Sequence, residues 1–271
     1  MTQVWVNGIV AEQMDPLDRG LAYGDGLFAT MRFSDGQVQF LAAHFARLVQ
    51  GARRLGFQWE ATDDLIELLN QIALNQTHGC IKLLLTRGVG GRGYAAPTCS
   101  QVNEVVSLYD VPSHYIHWQK EGIALTLSEF RLSRQPRLAG IKHLNRLEQV
   151  LIKSMQLPNG FDDWLVLDTD KRVIESSMAN LFFITGNVAL TPAITHSGVA
   201  GMMREQVIYA LIELGYDVDV TEVNYGDLTL FEHVFMTNSL LGLVDINRID
   251  NMTYSISPFS DTLRQTLHLT L

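Results

Sequence analysis

Gly140-Ile-Lys142-His-Leu-Asn145-Arg-Leu-Glu-Gln-Val150-Leu is the stretch on which the reading of this chain turns. Leu144, Leu147, Leu151 and Met155 recur at helical spacing. That predicts a helix over 144–156 and sets Lys142 just ahead of it, between a polar loop (131–140) and a packed element. A lysine on a rigid element beside an apolar face can lose its proton near neutral pH and act as a nucleophilic amine. A solvated lysine at a helix start fits the same spacing, and from the residues of this segment alone it is the favoured reading.

Downstream lies Arg172-Val-Ile-Glu175-Ser-Ser-Met-Ala-Asn180-Leu-Phe-Phe-Ile. Glu175 ends one apolar strand (172–175) and Asn180 opens another (180–185). A carboxylate there suits a protonated ring nitrogen, but on this segment alone an ordinary strand-end charge is the favoured reading. Gly198-Val-Ala-Gly201-Met-Met-Arg204 then opens a helix over 201–214. Glycines before a helix let backbone N–H groups approach an anion, and the helix dipole favours phosphate; a plain N-terminal turn is the other reading. Thr237-Asn238-Ser239 closes a strand (233–238) and offers donors for a phosphate or carboxylate, or makes a turn. Further strands are predicted at 123–129, 163–168, 188–191 and 217–223, and a last helix near 258–268.

Upstream, Asn7-Gly8 joins Gln3–Val6 to Ile9-Val10 as a hairpin. A second hairpin runs from 27–33 through Ser34-Asp35-Gly36 to 38–41. Residues 42–55 form a helix with Phe45, Leu48, Ala52 and Leu55 on one face and Gly56 as its stop. Arg47 borders that face, snorkelling outward or reaching inward to an anion. A second helix spans 63–76, with Asp64 and Glu67 read as a capping box. After a buried strand (80–86), Gly88-Val-Gly90-Gly-Arg-Gly93 matches the dinucleotide fingerprint, but Pro97 falls where the required helix would run. The segment is therefore read as a loop carrying Arg87, Arg92 and Tyr94, either plain surface or a lid for an anionic substrate. A strand at 102–110 leads to Val111-Pro112-Ser113, read as a linker. Strands and helices mix on both sides of it, so the expected architecture is α+β with two domains, 1–112 and 113–271.

The 271 residues are 47% hydrophobic and 18% charged, enough for one large core or two modest ones and too apolar for disorder. A formal charge of −9 argues against a nucleic-acid partner, since phosphates repel it. No window is apolar enough for a membrane helix, and the first ten residues lack a signal-peptide pattern. Cys80 and Cys99 have no metal-ligand or redox spacing. His114 and His117, three apart in the linker region, lack a third ligand, so no metal is expected.

Taken in order, Tyr23-Gly-Asp25-Gly-Leu-Phe28-Ala-Thr30, His44-x-x-Arg47-Leu, Ile141-Lys142-x-Leu-Asn145-x-Leu, Glu175-x-x-x-x-Asn180-Leu-Phe and Gly198-x-x-Gly201-x-x-Arg204 resemble the fold-type-IV pyridoxal-phosphate enzymes over nearly the whole chain. The run 138–152 and the loop 86–94 look, within that family, like its aminodeoxychorismate lyases. Phe28-Ala29 stands where the D-amino-acid aminotransferases usually carry Tyr-Glu, which argues against D-amino-acid transamination. The resemblance implies a two-domain fold-type-IV architecture, pyridoxal 5′-phosphate as cofactor and aminodeoxychorismate as substrate. It implies a cytoplasmic homodimer, with branched-chain or D-amino-acid transamination as the rival activity. It also implies roles. Lys142 would hold the cofactor as a Schiff base, and Glu175 would pair with its pyridine nitrogen. Arg47, the turn Val199-Ala200-Gly201-Met202, and Thr237-Asn238 would bind its phosphate. Thr30 would assist catalysis, and Thr30, Arg92, Tyr94 and Asn238 would contact substrate. Arg87 and Arg92 would supply cations for the two substrate carboxylates.

Overall fold

A computed structural model describes residues 3–11, 13–97 and 101–271; Cys99 lies outside the described residues. The chain forms two compact units. One is Met1–Val111 with Ile141–Asn145, the other Pro112–Gly140 with Arg146–Leu271. The mixture of helices and strands expected in both halves is what the structure shows.

The first unit contains β1 (Val4–Val6), β2 (Ile9–Val10), α1 (Arg19–Tyr23), β3 (Gly26–Ser34), β4 (Gln37–Val38), α2 (Leu41–Leu55), α3 (Asp63–Leu74), β5 (His78–Thr86) and β6 (Asn103–Tyr109). Its strands make an antiparallel sheet in the order β2-β1-β6-β5-β3-β4. Alternation along the strands puts Leu27, Ala29, Met31 and Phe33 of β3 with Ile81, Leu83 and Leu85 of β5 in one core, packed with Leu48 and Ala52 of α2 and Leu65, Leu69 and Ile72 of α3. Phe28, Thr30 and Lys82 alternate to the opposite face. The cap of α3 is Thr62, whose hydroxyl accepts from Leu65 N, rather than Asp64. Both aspartates instead occupy the first turn, where the helix dipole favours them.

The second unit contains α4 (His114–Glu121), β7 (Ile123–Leu127), α5 (Leu147–Ser154), β8 (Asp163–Leu167), β9 (Arg172–Ser176), β10 (Asn180–Thr185), β11 (Val188–Pro192), α6 (Met202–Glu213), β12 (Asp217–Thr221), β13 (Val223–Asn224), β14 (His233–Asn238), β15 (Gly242–Ile249), β16 (Met252–Thr253) and α7 (Pro258–Thr266). The strand order β10-β14-β15-β7-β8-β9 closes on itself, because Asn180 of β10 pairs with Glu175 of β9. The ring is a small barrel, and the sheet's edges move out to β12, β13 and β16.

Two expectations change here. His114 and His117 lie on helix α4, not in a linker. The leucine spacing around Lys142 does not mark a buried helix face. The helix starts only at Leu147, and Leu147, Val150 and Leu151 are exposed while Ile152 is fully buried. Ile152 packs with Leu132, Trp164, Val166 and Ile174, and that packing sets the helix's rotation.

Candidate active site

The lysine segment belongs to the first unit because its backbone docks on β3. Phe28 N donates to Lys142 O (3.0 Å), Leu144 N donates to Gly26 O (3.0 Å), and Leu27 and His143 form an antiparallel bridge. Extended backbone then alternates its side chains. Ile141 turns into the core, and the Lys142 ammonium lies 4.4 Å from the centre of the Phe28 ring. The expectation that Lys142 sits in the second domain is corrected by these bonds. Lys82 shares the same ring at 5.1 Å, and Thr30 is its register partner across the sheet. Thr30 and Lys142 are thus mounted on adjacent, hydrogen-bonded extended segments, one half-buried hydroxyl and one amine on apolar support.

Arg47 lies on α2. Its Nε is buried without a hydrogen-bond partner, and burial lowers the guanidinium to about 10. That is the inward of the two orientations left open by the sequence. One turn earlier, His44 is buried with neither ring nitrogen partnered. Burial, and then the charges of Arg47 and Lys142, hold its pKa well below the usual histidine range.

In the second unit, register brings Glu175, Asn180 and Thr237 into one row: Asn180 opposes Glu175 on one side and Thr237 on the other. The turn 198–202 is clamped onto that row. Val199 N donates to Glu175 Oε2 (3.0 Å), Asn180 Nδ2 donates to Val199 O (2.8 Å), and Gly201 N donates to Asn180 Oδ1 (3.1 Å). Gly140 N to Gly198 O and Ala200 N to Gly140 O secure its other side. Gly198 takes φ +83°, and a Cβ at Gly201 would stand 2.2 Å from Asn180 Oδ1, so the turn needs both glycines. Gly201 caps α6 without a side-chain bond, which leaves first-turn N–H groups for an anion. Arg204 fastens the helix to the end of β11 through Thr191 Oγ1 (3.1 Å) and Pro192 O (3.0 Å).

Thr237 donates to Gly242 O (2.6 Å). Asn238 is engaged at both ends of its amide: Nδ2 donates to Met178 O, and Oδ1 accepts from Leu240 N and Leu241 N. Its side chain closes a turn, and reaching a substrate would require remaking that turn.

The arginines of the glycine-rich loop separate. Arg87 is buried: Nε pairs with Asp25 (2.8 Å), the other nitrogens donate to Leu55 O and Gly56 O, and the guanidinium lies over Phe57. Arg87 is therefore a structural cation and not a free receptor for a substrate carboxylate. Asp25 also pairs with Arg19, which donates to the carbonyls of Gly93, Tyr94 and Ala95. Burial raises the Asp25 carboxyl, but the hydrogen bonds from Arg87 and Arg19 outweigh it and hold it below the usual range. Arg92 is exposed, and Tyr94, 89% exposed, touches Tyr23 edge-on at 5.5 Å. Among the described residues, the next element after the loop is β6.

Sequence reasoning missed Arg19, Asp25 and the burial of His44. The first two were legible only as charges beside glycines; they pair with each other six residues apart, but Arg87 and the 93–95 carbonyls that complete the cluster lie 62 to 76 residues away. His44 was visible as a histidine three positions before Arg47. Among the described residues, no cluster of three metal-ligating side chains occurs.

The sequence profile of "Amino-transferase class IV" matches residues 26–249. The chain is 36% identical to aminodeoxychorismate lyase of Vibrio harveyi over 245 residues, 90% of each protein. Its fold superimposes on the crystal structure of 4-amino-4-deoxychorismate lyase from Pseudomonas aeruginosa with a TM-score of 0.92 and 33% identity, covering 99% of this chain and 100% of that one. Branched-chain amino acid aminotransferase of Escherichia coli shares the fold at 21% identity and TM-score 0.84, over 98% and 93% of the two chains.

Proposed function

The chain belongs to the class IV aminotransferase family, and we propose that it is a pyridoxal-phosphate-dependent lyase. In this reading it converts 4-amino-4-deoxychorismate to 4-aminobenzoate, a folate precursor, and pyruvate. The mounting of Lys142 carries the chemistry: an amine on an aromatic ring, fixed by two backbone hydrogen bonds to β3. Similarity to the Vibrio and Pseudomonas lyases supports the choice of substrate.

The residues fit the cofactor. A phosphate needs several donors, and orphaned Arg47 Nε and the uncapped start of α6 are donors of that kind. Val199, Ala200, Gly201 and Met202 would hold it, as would Arg47; Thr237 would join them by giving up its bond to Gly242 O. Glu175, fixed by Val199 N, would face the pyridine nitrogen and keep it protonated. When bound, pyridoxal phosphate supplies an electron sink for the pair left when a proton leaves the amine-bearing carbon.

Lys142 is the attachment point and, as a free amine, the base that takes that proton. The enolpyruvyl ether bond breaks as the ring becomes aromatic. The departing enolpyruvate gains a proton at its methylene carbon, with the Thr30 hydroxyl as donor, and is released as pyruvate. With Arg87 committed elsewhere, Arg92 is the loop cation for a substrate carboxylate, with Tyr94 beside it; Asn238 is the weakest of the substrate contacts.

A cytoplasmic homodimer completes the reading. Leu147, Val150 and Leu151, exposed on α5, support a subunit interface, and no described helix is long and apolar enough to cross a membrane. The rival reading, a fold-type-IV aminotransferase, is supported by the likeness to the branched-chain enzyme. A single assay separates them. The purified protein is given enzymatically generated aminodeoxychorismate, and 4-aminobenzoate fluorescence and pyruvate are followed together. Equimolar products without an amino acceptor, abolished by Lys142→Ala, are expected. Glutamate formation from an amino donor and 2-oxoglutarate, without pyruvate release, would select the aminotransferase. Lys142→Ala that keeps both visible absorbance and turnover would end the mechanism.

A further inference from the structure

We propose that His44 is a second ligand of the anion bound by Arg47, donating a ring N–H to the phosphate monoester of the cofactor. The inference rests on the reading of Arg47 given above. His44 and Arg47 stand three residues apart on α2 and so share a face. Farther along that face, packing is apolar: Leu48 and Ala52 are buried, and Gly51 is bare enough for Leu27 and Ile141 to lie within 3.1 and 3.7 Å of where its Cβ would be. Only the N-terminal turn of the buried face is polar.

Polarity there is otherwise unexplained. His44 is 1% exposed, yet Nδ1 and Nε2 both lack a partner. Either neutral tautomer carries one N–H, and buried donors are rarely left unsatisfied. As a filler for the α2–β3 interface, an apolar side chain would serve with no orphaned atom. The missing partner must accept a hydrogen bond and tolerate a positive setting, because Arg47 Nε is also unpartnered and Lys142 adds its charge. An anion with several acceptor oxygens satisfies both residues together. A phosphate monoester has three, so Arg47 and His44 can each take one. Burial, reinforced by those two cations, keeps the imidazole neutral before the anion arrives, leaving one N–H to give and no second charge to accommodate.

The test uses pyridoxal, which has the aldehyde and ring but no phosphate. The full-length protein, stripped of cofactor, is titrated with pyridoxal phosphate and with pyridoxal, following visible absorbance. Loss of a hydrogen bond to a charged acceptor lowers affinity on the order of tenfold to a hundredfold. His44→Phe should therefore weaken pyridoxal phosphate by that factor and leave pyridoxal unchanged, with His44→Gln partly restoring the difference. The ³¹P resonance of the bound cofactor should move in His44→Gln; this also answers the question if His44→Phe does not fold. Equal weakening of both compounds, or no weakening with an unmoved resonance, makes His44 a packing residue and overturns the proposal. Arg47→Met separates the two levels. If it keeps full discrimination for the phosphate, the Arg47 reading has failed; if it loses discrimination while His44→Phe keeps it, only the His44 inference has failed.

Discussion

Replacing Gly201 by alanine tests the clamp on the 198–202 turn. The added methyl would sit 2.2 Å from Asn180 Oδ1 and 3.7 Å from Arg204 Cβ, so it is the Asn180 amide that must give way. Turning that amide breaks its bonds to Gly201 N and Val199 O. Asn180 is 5% exposed, so the displaced groups do not reach water. Two buried hydrogen bonds at about 1 kcal/mol each, with a stranding penalty of about 1–2 kcal/mol, come to roughly 3–4 kcal/mol. At about 2.1 cal/mol/K of unfolding entropy per residue, that lowers the melting temperature of a 271-residue chain by about 5–7 °C. Thermal melts of the cofactor-free protein measure it, with Gly91→Ala as control because nothing lies within 4 Å of its Cβ position. Cofactor affinity should fall as well, since the turn supplies backbone donors. The double variant Asn180→Ala/Gly201→Ala should be no less stable than Asn180→Ala alone, because the obstructing amide is gone. A Gly201→Ala protein that melts with the wild type, or strictly additive losses in the double variant, would refute the reasoning.

Asp25→Asn strands the guanidiniums of Arg19 and Arg87 and should cost about 3 kcal/mol at pH 7. The Asp25 carboxyl is depressed in the fold, so its contribution is complete above the unfolded value of about 3.9 and is lost as pH falls through the folded value. Urea titrations should show the gap between wild type and variant narrowing below about pH 4; a constant gap contradicts the pairing. Ile152→Ala should cost about 2–5 kcal/mol, whereas Leu147→Ala, at 74% exposure, should stay within about 0.5 kcal/mol in the monomer. The opposite order would mean that α5 is rotated. Burial pushes the Cys80 thiol up to about 12, with Lys82 opposing, so mass spectrometry should find it unalkylated by iodoacetamide at pH 8 until the protein is denatured.

Local periodicity carried most of the fold. The two hairpins, α2, β5 and the strands and helix from 163 to 214 follow from alternation, turn residues and caps, all of which act over a few residues. What escaped depends on distant partners. β15, Gly242–Ile249, was not anticipated, and a charged residue interrupts its apolar run: Asp245 is buried against His233, Ser260 and Arg264, from β14 and α7. α1 has five residues, too few for periodicity to register. The leucines near Lys142 misled because spacing says which residues share a face but not which face is covered. The candidate site divides in the same way. Lys142, Arg47, Glu175 and the 198–202 turn were legible as an ordered set of motifs. The commitment of Arg87 to Asp25 and of the Asn238 amide to its own turn was not, because each is decided by atoms the chain brings up from elsewhere.

Arg19 grips residues 93–95 through their carbonyl oxygens alone. Any amino acid presents the same carbonyl, so this grip does not depend on the side chains at Tyr94 and Ala95; the Tyr94 ring adds only its edge-on contact with Tyr23. Ala95 is consequently free to diverge among descendants of this enzyme, or in a randomised library, and Tyr94 at the loss of one ring contact, while Arg19 keeps its hold on the backbone. If Tyr94 meets substrate as proposed, substrate preference can be explored there by single codon changes, with the hold on the backbone left to a residue that lies outside the varied stretch.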